Sequence, residues 1–378
     1  MSTILINCSN LKKGGGLQVA DSICNDLARF PQHRFIIVLS SFLQNIGAKI
    51  KGNTNCVIRY YDSNNGLKVL LTGRDDVLDG LVNEHHVDIV LSVFGPISWK
   101  PRCPHFCGFA RSHIVLEDSP FFRRMSLLKR IKARLFNRIL IYFFCRGVDV
   151  FFTESSYISE KWKTKAGKAR VYTITNYYNQ VFDYPASWKA HILPVFDGIT
   201  LLCITGYYSH KNLEIAIEVT DILEQKHPDF HFRFVFTIDA DEYPALTEAQ
   251  KRHFCFIGRT DISEAPSLYQ QATIMFQPSL LECFSATYPE AMRMNVPIVA
   301  ADMGFARSLC GEAAMYYDPL NAQEAADVIY RVSTDESLRE RLINNGKRQL
   351  LQYDTYEQRT DKLINLAEQL ICYNDKKL

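Results

Sequence analysis

The sequence predicts an α/β protein built from two doubly wound, parallel-sheet domains, and three observations carry that expectation. Short apolar runs rich in β-branched residues alternate with longer segments of helical period, which is the pattern of parallel strands joined by crossover helices. The alternation breaks once, between residues 184 and 198, where Pro185, Pro194 and Gly198 interrupt it, and then restarts. Both halves also open alike, with a hydrophobic strand, a polar turn bearing glycine, and a helix: 4–8, 14–16 and 17–30 in the first, 200–205, Gly206 and 212–225 in the second.

In chain order, strands are expected in the first half at 4–8, 35–39, 57–60, 89–93, 105–109, 148–153 and 171–174. In the second half they are expected at 200–205, 232–237, 254–257, 274–277, 298–301 and 314–317. Asn321 and Glu324 have capping-box spacing, so a helix should begin at Ala322. The final helical stretches, 335–353 and 355–373, have no further strand to pack beneath, and the last is expected to strap back onto the first domain. The predicted division is therefore a first domain over 1–184, a linker over 185–198, a second domain over 199–354 and a C-terminal helix over 355–378. Ligands bind beyond the carboxyl ends of parallel strands, which places the expected site in a central cleft faced by the two domains.

With 378 residues, 47% apolar and 22% charged, the chain can bury two cores, which excludes a disordered protein or a coiled coil. A net charge of +2 hides a local excess. Residues 98–170 hold 16 Lys/Arg against 5 Asp/Glu, which favours an anionic substrate or surface over general nucleic-acid affinity. Eleven cysteines without a C-x-x-C pair point to a reducing compartment and to no zinc site. The start, MSTILINCSN, lacks the features of a secretion signal, and the longest wholly apolar run, 139–145, falls far short of the roughly 20 residues needed to span a bilayer. The expectation is a cytoplasmic protein, peripheral on a membrane. Residues 121–146 carry eight cations and no acid among Phe, Leu and Ile. Such a basic amphipathic helix can lie on anionic lipid, although an ordinary crossover helix with a solvated face has the same composition.

The most informative segment for chemistry is 278–302, PSLLECFSATYPEAMRMNVPIVAAD, a strand-to-helix-to-strand connection. The backbone of Cys283, Phe284, Ser285 and Ala286 at a helix start suits a diphosphate. Glu290, one turn further, can accept two hydrogen bonds from a ribose diol. The residues alone favour the plainer reading, with Glu282 as a turn cap and Glu290 as a solvated helix residue, since paired glutamates are common.

The segment resembles the E-x7-E region of the retaining glycosyltransferases of family 4, near P-S-x-x-E-G-F-G-x-x-x-x-E-A-M-x-x-G-x-P-V-V-A-x-D. Pro278, Ser279, Glu282, Phe284, Glu290, Ala291, Met292, Pro297, Val299, Ala300 and Asp302 fall in register. The resemblance implies the GT-B architecture of two Rossmann-like domains, with a nucleotide-sugar donor on the second and an acceptor on the first. It implies that Glu290 holds the donor ribose and that Glu282 sits near the donor sugar. Cys283, Ser285 and Asn295 stand where the family has glycine, which bears on the sugar pocket. Gly206-Tyr-Tyr-Ser-His-Lys-Asn212 resembles the family's G-R-x-x-x-x-K stretch shortened by one residue, with Tyr207 in place of the arginine. Lys211 is then the cation that neutralises the leaving diphosphate. Ile257 and Arg259, in a stretch with Leu268 and Tyr269 downstream, resemble the loop that meets the nucleobase. Gly15 and Gly16, with Lys12 and Lys13 as helpers, match the glycine loop that faces the diphosphate. His113 is the nearest candidate for the family's first-domain histidine, and Asn176 resembles the turn that closes that domain.

The Asp239-Ala-Asp241 triplet has the D-x-D form of metal-dependent transferases, but a solvated acidic loop is its ordinary meaning, so no metal and no other cofactor is expected. The resulting expectation is a retaining, metal-independent sugar transferase acting on a glycan or lipid-linked acceptor in cell-surface polysaccharide or lipopolysaccharide synthesis. An epimerase of nucleotide sugars and a non-catalytic nucleotide-sugar scaffold remain open beside it.

Overall fold

The computed structural model describes every residue except 13, 64, 65 and 376–378, and the backbone alone of 374 and 375. The first sheet contains β1 (Thr3–Cys8), β2 (Arg34–Leu39), β3 (Cys56–Tyr60), β4 (Ile89–Ser92), β5 (His105–Gly108), β6 (Val150–Thr153) and β7 (Arg170–Thr173). The second contains β8 (Ile199–Cys203), β9 (Phe232–Phe236), β10 (Phe254–Phe256), β11 (Ile274–Gln277), β12 (Ile298–Ala301) and β13 (Ala314–Tyr317). Each predicted strand is present within a residue or two at its ends. All pairings are parallel, in the orders β3-β2-β1-β4-β5-β6-β7 and β10-β9-β8-β11-β12-β13. The order reverses beside β1 in one sheet and beside β8 in the other, so each sheet has a switch point between β1 and β4 or between β8 and β11. Most central strands are buried along their whole length, as β4, β5, β6, β9, β11 and β12 are, because helices cover both faces. The protein therefore consists of two Rossmann-like α/β domains.

The chain is divided differently from the expected 1–184 and 199–354. One unit comprises 1–117, 125–176 and 354–378, and the other comprises 118–124 and 177–353. The boundary falls at Asn176 because the next residues are committed to the second unit: the Phe182 ring packs 6.0 Å from Tyr269, and Arg293 Nε donates to Asp183 (2.8 Å). The expected linker 185–198 is bound along that unit, with the Lys189 amide donating to Ser263 O and the Leu193 amide to Gln271 Oε1, both 2.9 Å. Its prolines mark irregular backbone rather than a free tether. Segment 118–124 was not expected in the second unit. Ser119 Oγ donates to Leu280 O (2.7 Å), and the Phe121 ring stands edge-on to His210.

The final helix, Tyr356–Asp375, packs into the core of the first unit through Leu363, Ile364, Leu366, Ala367 and Leu370. Its buried Arg359 donates to Asn176 Oδ1 and Ser22 Oγ, each at 2.6 Å, and Thr360 Oγ1 donates to Asp26 Oδ2 (2.8 Å). Burial lowers the Arg359 guanidinium to about 10, with Asp26, Glu154 and Asp354 opposing the shift. At the other predicted cap, Asn321 Oδ1 accepts the Glu324 amide (3.1 Å), but the Glu324 carboxylate turns to the Asp318 amide, so only half of a capping box forms.

The helix Leu127–Arg146 is different in kind. Of its twenty residues only Phe144 is buried, while Leu128, Ile131, Leu135, Ile139 and Tyr142 are 48–73% exposed. Their spacing places them along one stripe. Among the described residues no helix is long and apolar enough to cross a membrane.

Candidate active site

The residues singled out in the second domain gather where its strand order reverses. Lys211 follows β8 and Glu282 follows β11, and these strands are hydrogen-bonded neighbours (Ile274 beside Leu201), so the two loops leave the sheet side by side at its carboxyl edge. Lys211 Nζ donates to Glu282 Oε1 at 2.5 Å, and both side chains are largely covered, at 15% and 12% exposure. Ser279, fully buried beneath them, donates to the same carboxylate oxygen (2.8 Å). The helix expected to start at Asn212 starts at Ile215 instead. Lys211 closes a short 3-10 turn, Ser209–Lys211, and Asn212 takes a left-handed φ of 54°, with its Nδ2 donating to Pro319 O (3.2 Å). Asn tolerates that conformation better than most residues. The His210 carbonyl accepts the Leu280 amide (2.8 Å), tying the two loops together through their backbones.

Beyond Glu282, the backbone runs through Cys283, Phe284, Ser285 and Ala286 into the seven-residue helix Thr287–Arg293. The non-glycine side chains at 283 and 285 are buried, turned into the domain. Gln277 Nε2 donates to Ser285 Oγ (3.0 Å) and Thr287 Oγ1 (2.9 Å), and the two hydroxyls lie 2.9 Å apart. This polar triad holds the loop where glycine would otherwise let it bend freely. Asn295, the third replaced glycine, has φ 57°. The Val296 amide donates to Ala291 O and the Asn295 amide to Met292 O, which together form a Schellman ending.

Glu290 is buried, at 3% exposure, and its Oε2 accepts the Tyr269 hydroxyl (3.1 Å). Burial raises its carboxyl to about 7, although the Tyr269 hydrogen bond pulls it downward. Tyr207, at the expected arginine position, donates to Glu214 Oε1, and burial and that carboxylate raise its phenol to about 12. It therefore supplies no positive charge. A Cβ on Gly206 would meet the Tyr208 ring at 2.9 Å. Ile257 follows β10 and donates its amide to Phe236 O, and Gly258 comes next at φ 70° with Asp239 Oδ1 2.9 Å from where a Cβ would stand. Arg259 is an exposed side chain 3.7 Å from Glu242. In the D-x-D triplet, Asp239 caps the short turn Ala240–Glu242 in a reciprocal capping box, which gives it a structural role.

The first-domain candidates belong to the other unit. Gly15 opens the helix Gly15–Asp26 at the β1 switch point, and a Cβ on Gly16 would stand 3.5 Å from the Leu11 and Phe94 side chains. Lys13 lies outside the described residues. His113 lies in the single turn Ser112–Val115, where its carbonyl accepts Asn137 Nδ2 (3.1 Å). Sequence reasoning assigned no part to Ser279, Gln277 or Thr287. A polar residue closing an otherwise apolar strand, as Gln277 closes β11, is the signal that marks such a support.

Residues 192–349 match the family model "Glycosyl transferases group 1". An uncharacterized glycosyltransferase of Methanocaldococcus jannaschii is 21% identical over 198 residues, 49% of this chain, which spans about half the length of that relative. A glycosyltransferase structure from Rickettsia africae superposes with TM-score 0.71 at 14% identity, covering 98% of each chain. Sucrose-phosphate synthase from Thermosynechococcus elongatus gives 0.71 at 13%, covering 99% of this chain and 100% of that one. Anabaena HepE in complex with UDP and glucose gives 0.66 at 15%, covering 97% and 99%. The chain thus has the GT-B fold along its whole length, and its second domain is similar to the group 1 glycosyl transferases over the stretch that carries Lys211, Glu282 and Glu290.

Proposed function

We propose that the protein is a retaining, metal-independent glycosyltransferase that moves a sugar from a nucleotide-diphosphate sugar to a hydroxyl of a glycan or lipid-linked acceptor. The observation that carries this reading is the placement of Lys211 and Glu282 on adjacent loops at the switch point of the second sheet, with Glu290 eight residues beyond. The matching family model and the UDP-bound structural neighbour support the donor class.

In this mechanism, Lys211 leaves Glu282 for the donor diphosphate and stabilises the charge that grows on it as the glycosidic bond breaks. Freed from the lysine, Glu282 accepts hydrogen bonds from the sugar. The backbone of 283–286 completes the diphosphate cradle, and Glu290 takes the ribose. The acceptor hydroxyl attacks the face from which the diphosphate departs, and a phosphate oxygen takes its proton, so the anomeric configuration is retained. The apolar stripe of the helix Leu127–Arg146, flanked by Lys129, Lys132, Arg134 and Arg138, rests on anionic lipid at the cytoplasmic face of a membrane, where lipid-linked acceptors of polysaccharide synthesis are found.

The test is a thermal-shift panel of UDP- and GDP-sugars followed by NMR of the product formed with EDTA present. A donor that raises the melting temperature and yields a product of unchanged anomeric configuration is the expected result. Inverted product, loss of transfer in EDTA, or binding without turnover on a broad acceptor panel would reject the proposal.

A further inference from the structure

The first domain carries a second concentration of charge at the end of its sheet opposite the glycine loop. A concavity of about 560 Å³ opens at the amino ends of β5, β6 and β7. Its walls include Lys100, Arg102, Arg146, Lys168, Arg170 and Tyr373. Among the described residues that line it, the only carboxylate is Asp149, and Asp149 Oδ2 is occupied by the His105 amide (2.9 Å). The imidazole of His105 is spent on Gly147 O and Ser92 Oγ, and burial lowers it to about 4, so it adds no charge.

Two of the cations are held in place. Arg146 donates to the Leu70 and Leu71 carbonyls (2.8 and 3.1 Å) and lies over the Phe143 ring, and Arg170 lies over Tyr373, 5.4 Å from the ring centre. Among the described residues, Lys100, Arg102, Lys168 and Arg170 have no carboxylate partner. Like charges converging on one hollow repel one another, and a bound anion relieves that repulsion. Guanidinium groups match phosphate oxygens in pairs, and lysines add point charges. A monovalent anion would neutralise little of this field, so the fitting occupant carries several phosphate charges.

We propose that this hollow is a binding site for a polyvalent phosphate group, either soluble or borne on a lipid headgroup, separate from the donor diphosphate site. It draws on none of the residues assigned to sugar transfer, so either proposal can fail without the other.

The probe is inorganic pyrophosphate, titrated calorimetrically into the full chain. A Lys211→Ala background removes the main cation of the donor site. Binding should persist there and weaken at least tenfold in Lys168→Glu/Arg170→Glu and, on a separate loop, in Lys100→Glu/Arg102→Glu. All four side chains are exposed, so the melting temperature should hold. Affinity should also fall steeply with salt. Vesicles of phosphatidic acid in phosphatidylcholine then separate the sources. Charge reversal that also reduces flotation assigns the phosphate to lipid, whereas unchanged flotation with lost pyrophosphate binding assigns it to a soluble molecule. Pyrophosphate affinity unchanged in both double variants, or abolished by Lys211→Ala alone, would overturn the proposal.

Discussion

Lys211 and Glu282, 71 residues apart in sequence, neutralise each other through a single hydrogen-bonded ion pair, and Ser279 donates to the same carboxylate oxygen from below. Two groups assigned to the donor are thus held ready by one another, each providing the charge the other needs while no ligand is bound.

Lys211→Ala should lower kcat at least 100-fold, the range seen when one donor to a developing negative charge is removed. Glu282→Gln, which keeps the size but not the charge, should raise KM for the donor and reduce kcat less than the lysine change does. Steady-state kinetics on both variants check the assignment, and full activity in Lys211→Ala would remove the lysine from the mechanism.

Glu290 gives a pH dependence with a definite sign. Its folded carboxyl titrates near 7 against an ordinary value of 4.5, so the native state binds the extra proton between those values. Stability contributed by this group is fully present below about pH 4.5 and lost as pH rises through 7. Buried Glu154, also raised to about 7, adds to the same window. Nucleotide affinity should run the other way, strengthening above pH 7 as the carboxylate becomes able to accept both ribose hydroxyls. In Glu290→Gln, affinity at pH 8 should fall at least tenfold and lose this pH dependence. Titration of UDP at pH 6 and 8 reads both effects.

Arg359 holds the last helix to Asn176 and Ser22, and Arg359→Met should destabilise the protein by about 3–5 kcal/mol, the usual cost of removing one partner from a buried charged network. Urea unfolding at pH 8 measures it. A loss below about 1 kcal/mol would mean that apolar packing of Leu363, Ile364 and Ala367 alone secures the helix.

Replacing Leu128, Ile131, Leu135 and Ile139 together by Ser should abolish flotation with anionic vesicles and leave the melting temperature unchanged, because these side chains are already exposed. Flotation that survives the change would dismiss the lipid-resting helix.

The strands were legible because buried parallel strands read as compact apolar runs, and Ile274–Gln277, Ile298–Ala301 and Ala314–Tyr317 were placed to the residue. The positions of Glu282 and Glu290 on one strand-to-helix connection were equally plain. What the sequence concealed is non-local. Nothing in Ser119 or Phe121 announces Leu280 and His210 as their neighbours, since a hydroxyl and a ring are satisfied by many partners. The prolines near 185 and 194 were read as a tether because they disfavour helix, but irregular backbone packs closely wherever side chains such as Gln271 take up its amides. The burial of Ser285 was hidden for the same reason: its partner Gln277 lies on the preceding strand, and register alone does not say which way a loop residue turns.

The allocation of 118–124 and 354–378 to units far from their neighbours in sequence means that the polypeptide passes from one unit to the other four times. A gene divided after codon 176 would therefore yield two incomplete products, the first deprived of its closing helix and the second of the short segment that covers Leu280. Such fragments should recover activity only when produced together, and circular permutation within either unit should be tolerated better than any scission between them.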